Sequence, residues 1–372
     1  MYDIAIIGAG VNGCSVAFEF TQVGKKVIIF DMEKIANGGS GAAGAFISPK
    51  FSKTGELQEL LHEAFVYSMN YYEKNFPLLI KKAPLLHIAK DDNDAESLKL
   101  YKQQSQLELL DVRDELLNNL SEESQKKENV SINAGIVNAE LMCQAMSKSA
   151  KFVKSEVQNL VYDDGLWIID EIYGAKEVVL ATGAYEQLVK EPYIKIRGVW
   201  GHRIDVQTST KNTHSIHQFV SISPNSNGEL AIGATHNVHY HPQTSKEDYD
   251  MEVGRKELLE KASKTLKLDN VKITKDYTGL RSGSVDYMPL VGSLVMSQET
   301  LQNKKINFQV KKEKYREYAY YPNLYMINGS SGYGFVLAPY LANILKEHIL
   351  KGSEINHRIT PARFFARWAR RL

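Results

Sequence analysis

The chain opens on residues 2–7, YDIAII, an almost unbroken apolar run. A run without polar alternation suits a strand covered on both faces, as in a parallel sheet. The sequence GAGVNG follows, and then CSVAFEFTQVG, which predicts a helix ending at Gly24. KKVIIFD predicts a second strand ending in Asp31. Short strand-like runs separated by turns recur in AKFVKSEVQNLVYDDGLWIID and EVVLATGA. KIRGVWGHRIDVQ, QFVSISP and LAIGAT read as antiparallel strands. NLYMING predicts a late strand, followed by a glycine turn and a long apolar helix, FVLAPYLANILKEHI. Residues 91–128 differ: they hold 11 acidic and 5 basic residues with leucines at 98, 100, 107, 109, 110, 116, 117 and 120. That pattern predicts one or two amphipathic, mainly solvated helices.

The first forty residues carry a specific chemistry. Strand, glycine turn, helix, strand and acid form the order of a dinucleotide-binding unit. Gly8 permits the tight turn, Gly10 lets backbone approach a pyrophosphate, and Gly13 allows close helix–strand packing. The helix N-terminus, beginning at Val11 and Asn12, offers N–H groups to phosphates. Asp31, 18 residues after Gly13, is placed to accept hydrogen bonds from a ribose. The motif does not separate FAD from NAD. Beyond Asp31, small residues dominate from Gly38 to Ala45, including Ser40, Gly41, Ala42 and Ala43, which would let backbone lie close to a flat ligand.

Composition narrows the class. The 372 residues are 43% hydrophobic and 24% charged, which suits a folded globular chain and excludes a disordered or collagen-like one. Lys and Arg number 45 against 44 Asp and Glu, so the molecule as a whole is not a polycation built around nucleic acid. Two cysteines, Cys14 and Cys143, exclude a disulfide scaffold and a multi-cysteine metal site, and both fall on apolar helical faces. The histidines of HNVHYH (236–241) lack a metal-binding context, and no metal is expected. No apolar stretch of about 18 residues is present. A strand starting at Tyr2 leaves no room for a secretory signal, which leads to the expectation of a cytoplasmic protein.

The chain resembles the FAD-dependent glycine oxidase, sarcosine oxidase and D-amino-acid oxidase family. The resemblance rests on GAGVNG with Asp31, GGSGAAGAF, KEVVLATGAYE (176–186), IRGVWGHRIDV (196–206), LAIGATHNVHYHP (230–242), YTGLRSGSVDYMPLVG (277–292) and LYMINGSSGYGFVLAPYLANIL (324–345). Within the family, SGAAGAFISPK, GATH, DYMPLVG and a P-x-R-F tail look most similar to the FAD domain of bifunctional enzymes that form methylaminomethyluridine in tRNA. The methyltransferase half of those enzymes has no counterpart here.

The resemblance implies an α/β fold: a Rossmann-like FAD-binding domain with an inserted α+β substrate domain on an antiparallel sheet. The FAD domain would comprise 1–85, 131–195 and 322–372, and the substrate domain 86–130 and 196–321. FAD would be bound non-covalently by the first glycine turn, Asp31 and the small-residue loop. It would also meet Val157 through its backbone, and Ala181, Thr182 and Gly183. The turn Gly329, Ser330, Ser331, Gly332, Tyr333 and Gly334 would lie against the flavin. Arg281 falls at the family's carboxylate-binding arginine, and its planar fork suits that task; a structural pair with Asp286 is the alternative. His236 and Tyr333 are expected at the reacting centre. His202, Tyr249 and Ser331 are expected to contact substrate.

The implied activity is oxidation of the C–N bond of a glycine-like amine, followed by imine hydrolysis. Glycine, sarcosine and the carboxymethylaminomethyl group of a tRNA wobble uridine all share the unit required. The alternatives are a small amino-acid oxidase or a quinone-linked D-amino-acid dehydrogenase and, from another class, a non-catalytic FAD scaffold or electron carrier. The tail 351–372 has six Lys or Arg against one Glu, with Phe364, Phe365, Trp368 and Leu372 able to share a face. It could dock on the body, meet tRNA phosphates, or rest on a membrane surface.

Overall fold

The structure is a computed structural model that describes residues 1–185, 188–306, 308 and 315–372. Glu186, the last residue of KEVVLATGAYE, lies outside the described residues. The chain begins β1 (Tyr2–Ile7), α1 (Val11–Gln22), β2 (Val27–Asp31), β3 (Phe46–Ile47), α2 (Glu56–Asn75) and β4 (Ile80–Ile88). It continues α3 (Asp92–Gln104), α4 (Asp114–Asn119), α5 (Glu122–Gln125), β5 (Asn129–Val137), α6 (Ala139–Ser147), β6 (Lys151–Lys154), β7 (Leu160–Asp163), β8 (Leu166–Ile169) and β9 (Tyr173–Leu180). The second half runs β10 (Ile196–Gln207), β11 (Ser215–His217), β12 (Ser221–Ile222), β13 (Glu229–Gly233), α7 (Met251–Ser263), β14 (Lys272–Ser284) and β15 (Leu290–Val295). Then come α8 (Ser297–Gln302), β16 (Tyr320–Asn328), α9 (Gly334–Lys351) and α10 (Ala362–Ala369).

Two sheets result. The first has the order β15-β16-β9-β1-β2-β6, with the β7–β8 hairpin attached to β9. β1 lies between β2 and β9, parallel to both. Its apolar run is therefore explained: Ile4 and Ile6 join a core with α1 and α9, while Ala5 and Ile7 join a second core with β8 and α10. The second sheet has the order β14-β10-β13-β12-β11-β4-β5-β3 and is antiparallel except where β11 meets β4. A third core fills the space between this sheet and α4 and α7.

This layout matches the expected fold class, while the membership of some strands in the two sheets differs from the expected division of the chain. β3, β4 and β5 were assigned from sequence largely to the dinucleotide domain, yet all three belong to the second sheet. β15, assigned to the substrate domain, pairs with β16 in the first sheet. The strands lie far apart in sequence, so pairing partners, not local pattern, decide membership. Residues 91–128 form α3, α4 and α5, with Leu98, Tyr101, Leu116 and Leu120 turned inward.

The C-terminal tail docks on the body. Phe364 and Phe365 are buried in the second core, and Arg363, 8% exposed, makes two hydrogen bonds to Asp286 of 3.0 and 2.9 Å. Arg363 is thereby withdrawn from any phosphate or lipid headgroup. Leu372, expected on the same apolar face, is exposed. No helix among the described residues is long and apolar enough to cross a membrane.

Candidate active site

Three turns converge. Gly8 has φ +108°, and a Cβ there would lie 2.3 Å from the Ala181 carbonyl oxygen. A Cβ on Gly13 would lie 2.0 Å from the Gly8 oxygen, so α1 can approach β1 only with glycine there. A Cβ on Gly10 would meet only the Ser40 hydroxyl, at 3.1 Å; this glycine keeps open a space facing the cleft. The Val11 N–H donates to Ser40 Oγ at 2.8 Å, joining the small-residue loop to the start of α1. The Ala9 N–H donates to Asp31 Oδ2 at 2.8 Å, so Asp31 also braces the glycine turn. The buried Ser330 hydroxyl donates to Asn12 Oδ1 at 3.2 Å, and Asn328 Nδ2 donates to the Gly183 carbonyl at 2.8 Å. The late turn is thus tied to both earlier ones.

These turns wall a cleft of about 950 Å³. Gly8, Gly10, Val11, Asn12 and Asp31 line it, as do Ser40, Ala42 and Ala43. Val157, Ala181, Thr182 and Gly183 extend the wall. Ser330, Ser331, Gly332, Tyr333 and Gly334 complete it from the C-terminal side. Gly13, which serves helix–strand packing, does not line the cleft, and neither do Gly41 and Gly329, which were expected at the cofactor. A Cβ on Gly41 would strike the Ala36 carbonyl at 2.0 Å, and Gly329 turns the chain at φ +75°. Gly39 lines the cleft and also packs tightly on protein, its Cβ position being 2.5 Å from the Leu280 carbonyl oxygen. The small residues of this loop serve close packing against β14 as well as a ligand.

Arg281, on β14, lines the cleft over Gly201 of β10. Its Nη2 donates to the Thr235 carbonyl, and no carboxylate forms an ion pair with it among the described residues. The structural alternative fails because Asp286 is taken by Arg363. Burial pulls the Arg281 pKa down, the direction expected for a cation removed from water without a counter-ion. It remains charged at neutral pH, since its starting value is so high.

His236 lines the cleft and is exposed to it. Burial and, after it, the charge of Arg281 push its pKa down, which favours the neutral imidazole. Tyr333 and Ser331 also line the cleft, and burial raises the Tyr333 phenol. Ser331 holds φ +50°.

His202 and Tyr249, expected to contact substrate, do not line the cleft. His202 is fully buried, its Nε2 2.8 Å from Asp276 Oδ1, and Asp276 is clamped in turn by Arg255. On β10, Gly201 and Arg203 line the cleft, and period-2 alternation turns the residue between them to the opposite face. Tyr249 packs against Trp200, Tyr240 and His202, with its hydroxyl 3.4 Å from Thr235 Oγ1. Thr235 lies between them and Arg281: its Oγ1 accepts the His202 N–H at 3.0 Å, and its carbonyl accepts from the guanidinium. The HNVHYH segment is not a strand: Asn237 Oδ1 accepts from the N–H groups of His239 and Tyr240 in a turn. Among the described residues no group of three or more His, Cys, Asp or Glu could hold a metal ion.

Residues 3–348 match the DAO family, the FAD dependent oxidoreductases. The chain belongs to this family. It is 25% identical over 392 residues to a tRNA 5-methylaminomethyl-2-thiouridine biosynthesis bifunctional protein of Legionella pneumophila (strain Lens), covering 96% of this chain and 56% of that protein. It is 22% identical over 411 residues to the protein of the same name from Leptospira interrogans, covering 99% of this chain and 61% of that one. The chain therefore spans little more than half the length of these curated relatives. In fold it is similar to glycine oxidase from Bacillus cereus ATCC 14579, with TM-score 0.74, 22% identity, and coverage of 96% of this chain and 97% of that one.

The cofactor of this DAO-family oxidoreductase is FAD, and the residues present fit it. Gly10 leaves backbone open at the N-terminus of α1, Asp31 lines the cleft at the end of β2, and the late glycine turn stands across from them. Cys14 and Cys143 are buried free thiols, away from the cleft lining.

Several cleft residues were not legible in the sequence. Arg203 donates to the Ala43 carbonyl at 2.7 Å. Phe46, Phe51, His87 and His217 form a distant part of the wall. Each is a single residue in an ordinary strand or loop, and only the sheet order brings them together.

Proposed function

We propose that the chain oxidises the C–N bond of a glycine-like amine bearing an N–CH2–COO− unit. The observation that carries this reading is the half-buried Arg281 on the cleft wall, hydrogen-bonded to one carbonyl and unpaired with any carboxylate among the described residues. A partly desolvated cation without a counter-ion favours an incoming anion, and a guanidinium favours a carboxylate.

Arg281 holds the substrate carboxylate and so fixes the methylene carbon. The amine enters with its ammonium proton already given to water, so its lone pair is free, and the neutral His236 imidazole lines the same space. When bound, FAD supplies the acceptor for the hydride that leaves the methylene carbon. Loss of that hydride converts R–NH–CH2–COO− to the iminium R–NH+=CH–COO−. One water then hydrolyses it to R–NH3+ and glyoxylate. Ser331 and Tyr333, on the late glycine turn, border the same space.

The names of the bifunctional relatives favour the carboxymethylaminomethyl group of a tRNA wobble uridine over free glycine or sarcosine. That reading places the enzyme in the cytoplasm. A small amino-acid oxidase or quinone-linked dehydrogenase remains the second reading, supported by the fold likeness to glycine oxidase. A non-catalytic carrier would have no use for a half-buried, carboxylate-free arginine on the cleft wall.

The test is Arg281→Ala. Turnover of carboxylate-bearing amines should fall at least a hundredfold with flavin still bound; unchanged turnover would refute the role.

A further inference from the structure

Strand β10 presents two neighbouring positions to the cleft. Gly201 and Arg203 lie on one face of it, one pleat repeat or about 7 Å apart. Gly201 is the seat of the Arg281 guanidinium, which would lie 2.5 Å from a Cβ there. Arg203 serves a different partner. Its Nη1 donates at 2.7 Å to the carbonyl of Ala43, on the small-residue loop that joins β2 to β3. Ala42 and Ala43 of that loop line the cleft.

Several neighbours fix the Arg203 side chain. Gly233, its partner on β13, leaves room for the stem: a Cβ there would lie 2.7 Å from Arg203 Cγ. Tyr277, its partner on β14, packs on the guanidinium, with Cζ 3.8 Å from the ring centroid. Asp205 stands 3.7 Å from Nη2, and the Arg203 side chain is only 13% exposed. Nε is buried without a hydrogen-bond partner, a cost that an arginine free to turn to water would avoid. The loop that it grips is itself tightly set. Gly39 packs on the Leu280 carbonyl and Ala42 on Gly279, both on β14. Two residues after Ala43, Ala45 holds φ +49°, a conformation costly for a residue with a Cβ and kept only where flanking contacts impose it. The Arg203 bond to Ala43 is one such contact, and the Val137 N–H on the Ala45 carbonyl, at 3.2 Å, is another.

Resting on the reading above, in which Arg281 holds the substrate carboxylate, we infer that Arg203 is a positioning residue for the hydride transfer. β10 seats the substrate anchor at Gly201 and the cofactor loop at Arg203, so one strand ties both partners of the reaction to a common frame. A shift of about 1 Å between reacting groups costs on the order of a hundredfold in rate. Loss of the Arg203 grip releases the loop and leaves Arg281 on its seat. The rate of hydride transfer then falls, while affinity for the carboxylate stays.

The experiment compares the wild-type chain with Arg203→Met, which keeps the stem over Gly233 and removes the donor, and with Arg203→Lys, which keeps a charged donor without the planar fork. Apoprotein is titrated with FAD, and the FAD-loaded forms are mixed anaerobically with sarcosine over a range of concentrations. In Arg203→Met, FAD affinity should fall at least fivefold. At saturating FAD the limiting rate of flavin reduction should fall at least tenfold, with the apparent Kd for sarcosine within twofold of wild type. Arg203→Lys should recover part of the rate, and its own rate against the wild type decides the matter if the methionine variant does not fold. A limiting rate that neither variant lowers, or a loss confined to sarcosine affinity, overturns the role. If sarcosine leaves the wild-type flavin oxidised, the failure lies with the substrate reading, and Arg203 is judged on the cofactor alone. Weakened FAD affinity with a shifted flavin absorption band then supports the role; unchanged affinity and an unshifted band overturn it.

Discussion

Gly201 and the Arg281 side chain claim the same volume: a Cβ on Gly201 would lie 2.5 Å from Nη2 and 3.0 Å from Cζ of Arg281. The glycine on β10 therefore makes the seat in which the guanidinium lies. Gly201→Ala should push the guanidinium off that seat without touching the glycine turns. KM for carboxylate amines should rise about tenfold or more, the loss of roughly one charged hydrogen bond. FAD content should stay at the wild-type level. Steady-state kinetics beside the flavin-to-protein absorbance ratio check both halves.

Asp31 has a dual task, accepting the Ala9 N–H while facing the cleft. Asp31→Ala removes the acceptor for a backbone donor as well as the ribose partner. Titration of apoprotein with FAD should show affinity weakened by about 1.5–3 kcal/mol, roughly tenfold to a hundredfold. Ser40→Ala frees the Val11 N–H and should cost less, about 1 kcal/mol. Equal affinity in both variants and the wild type would contradict this account of the turn.

The tail is pinned by the pair of Asp286 with Arg363, which are 22% and 8% exposed in their side chains. Burial alone would raise the Asp286 pKa, but the hydrogen bonds and charge of Arg363 outweigh it and hold the carboxyl below its usual range. A depressed acid stabilises the fold above its unfolded pKa, about 4, and loses that contribution as pH falls through its folded value. Asp286→Asn should lower stability by about 3 kcal/mol at pH 7. The gap from wild type should close in denaturation melts below about pH 3.

Glu177, on β9 beside Tyr325, behaves in the opposite sense. Burial raises its pKa to about 7, and one carboxylate oxygen has no hydrogen-bond partner. The folded state then binds more protons than the unfolded state between about pH 4.5 and 7, so stability falls as pH rises through that window. Glu177→Gln should stabilise the protein at pH 8 by about 1 kcal/mol, a figure reduced for partial solvent exposure. The benefit should vanish below pH 4.5. Melting temperatures at pH 4.5 and 8 decide it.

The dinucleotide turn was legible because Gly8 and Gly13 answer to local sterics that a six-residue motif displays. Arg281 was legible through its motif, although its seat on Gly201 was not: the two residues are 80 apart and meet only where β10 pairs with β14. His202 was misjudged because its neighbours in sequence do line the cleft. Strand alternation turns it to the other face, where Asp276 holds it. The sheet to which β4, β5 and β15 belong was not legible for a related reason, since it is set by partners far along the chain. The docking of the tail was not legible, because Asp286, the partner of Arg363, lies 77 residues away.

The most direct measurement of the central claim is anaerobic mixing of the FAD-loaded protein with amines bearing an N–CH2–COO− unit, followed by assay for glyoxylate. The panel comprises glycine, sarcosine, N-benzylglycine and tRNA carrying the carboxymethylaminomethyl group. The account predicts bleaching of the oxidised-flavin bands by at least one member, with one glyoxylate released per flavin reduced. A flavin that stays oxidised with every member, or one that bleaches without releasing glyoxylate, would contradict it.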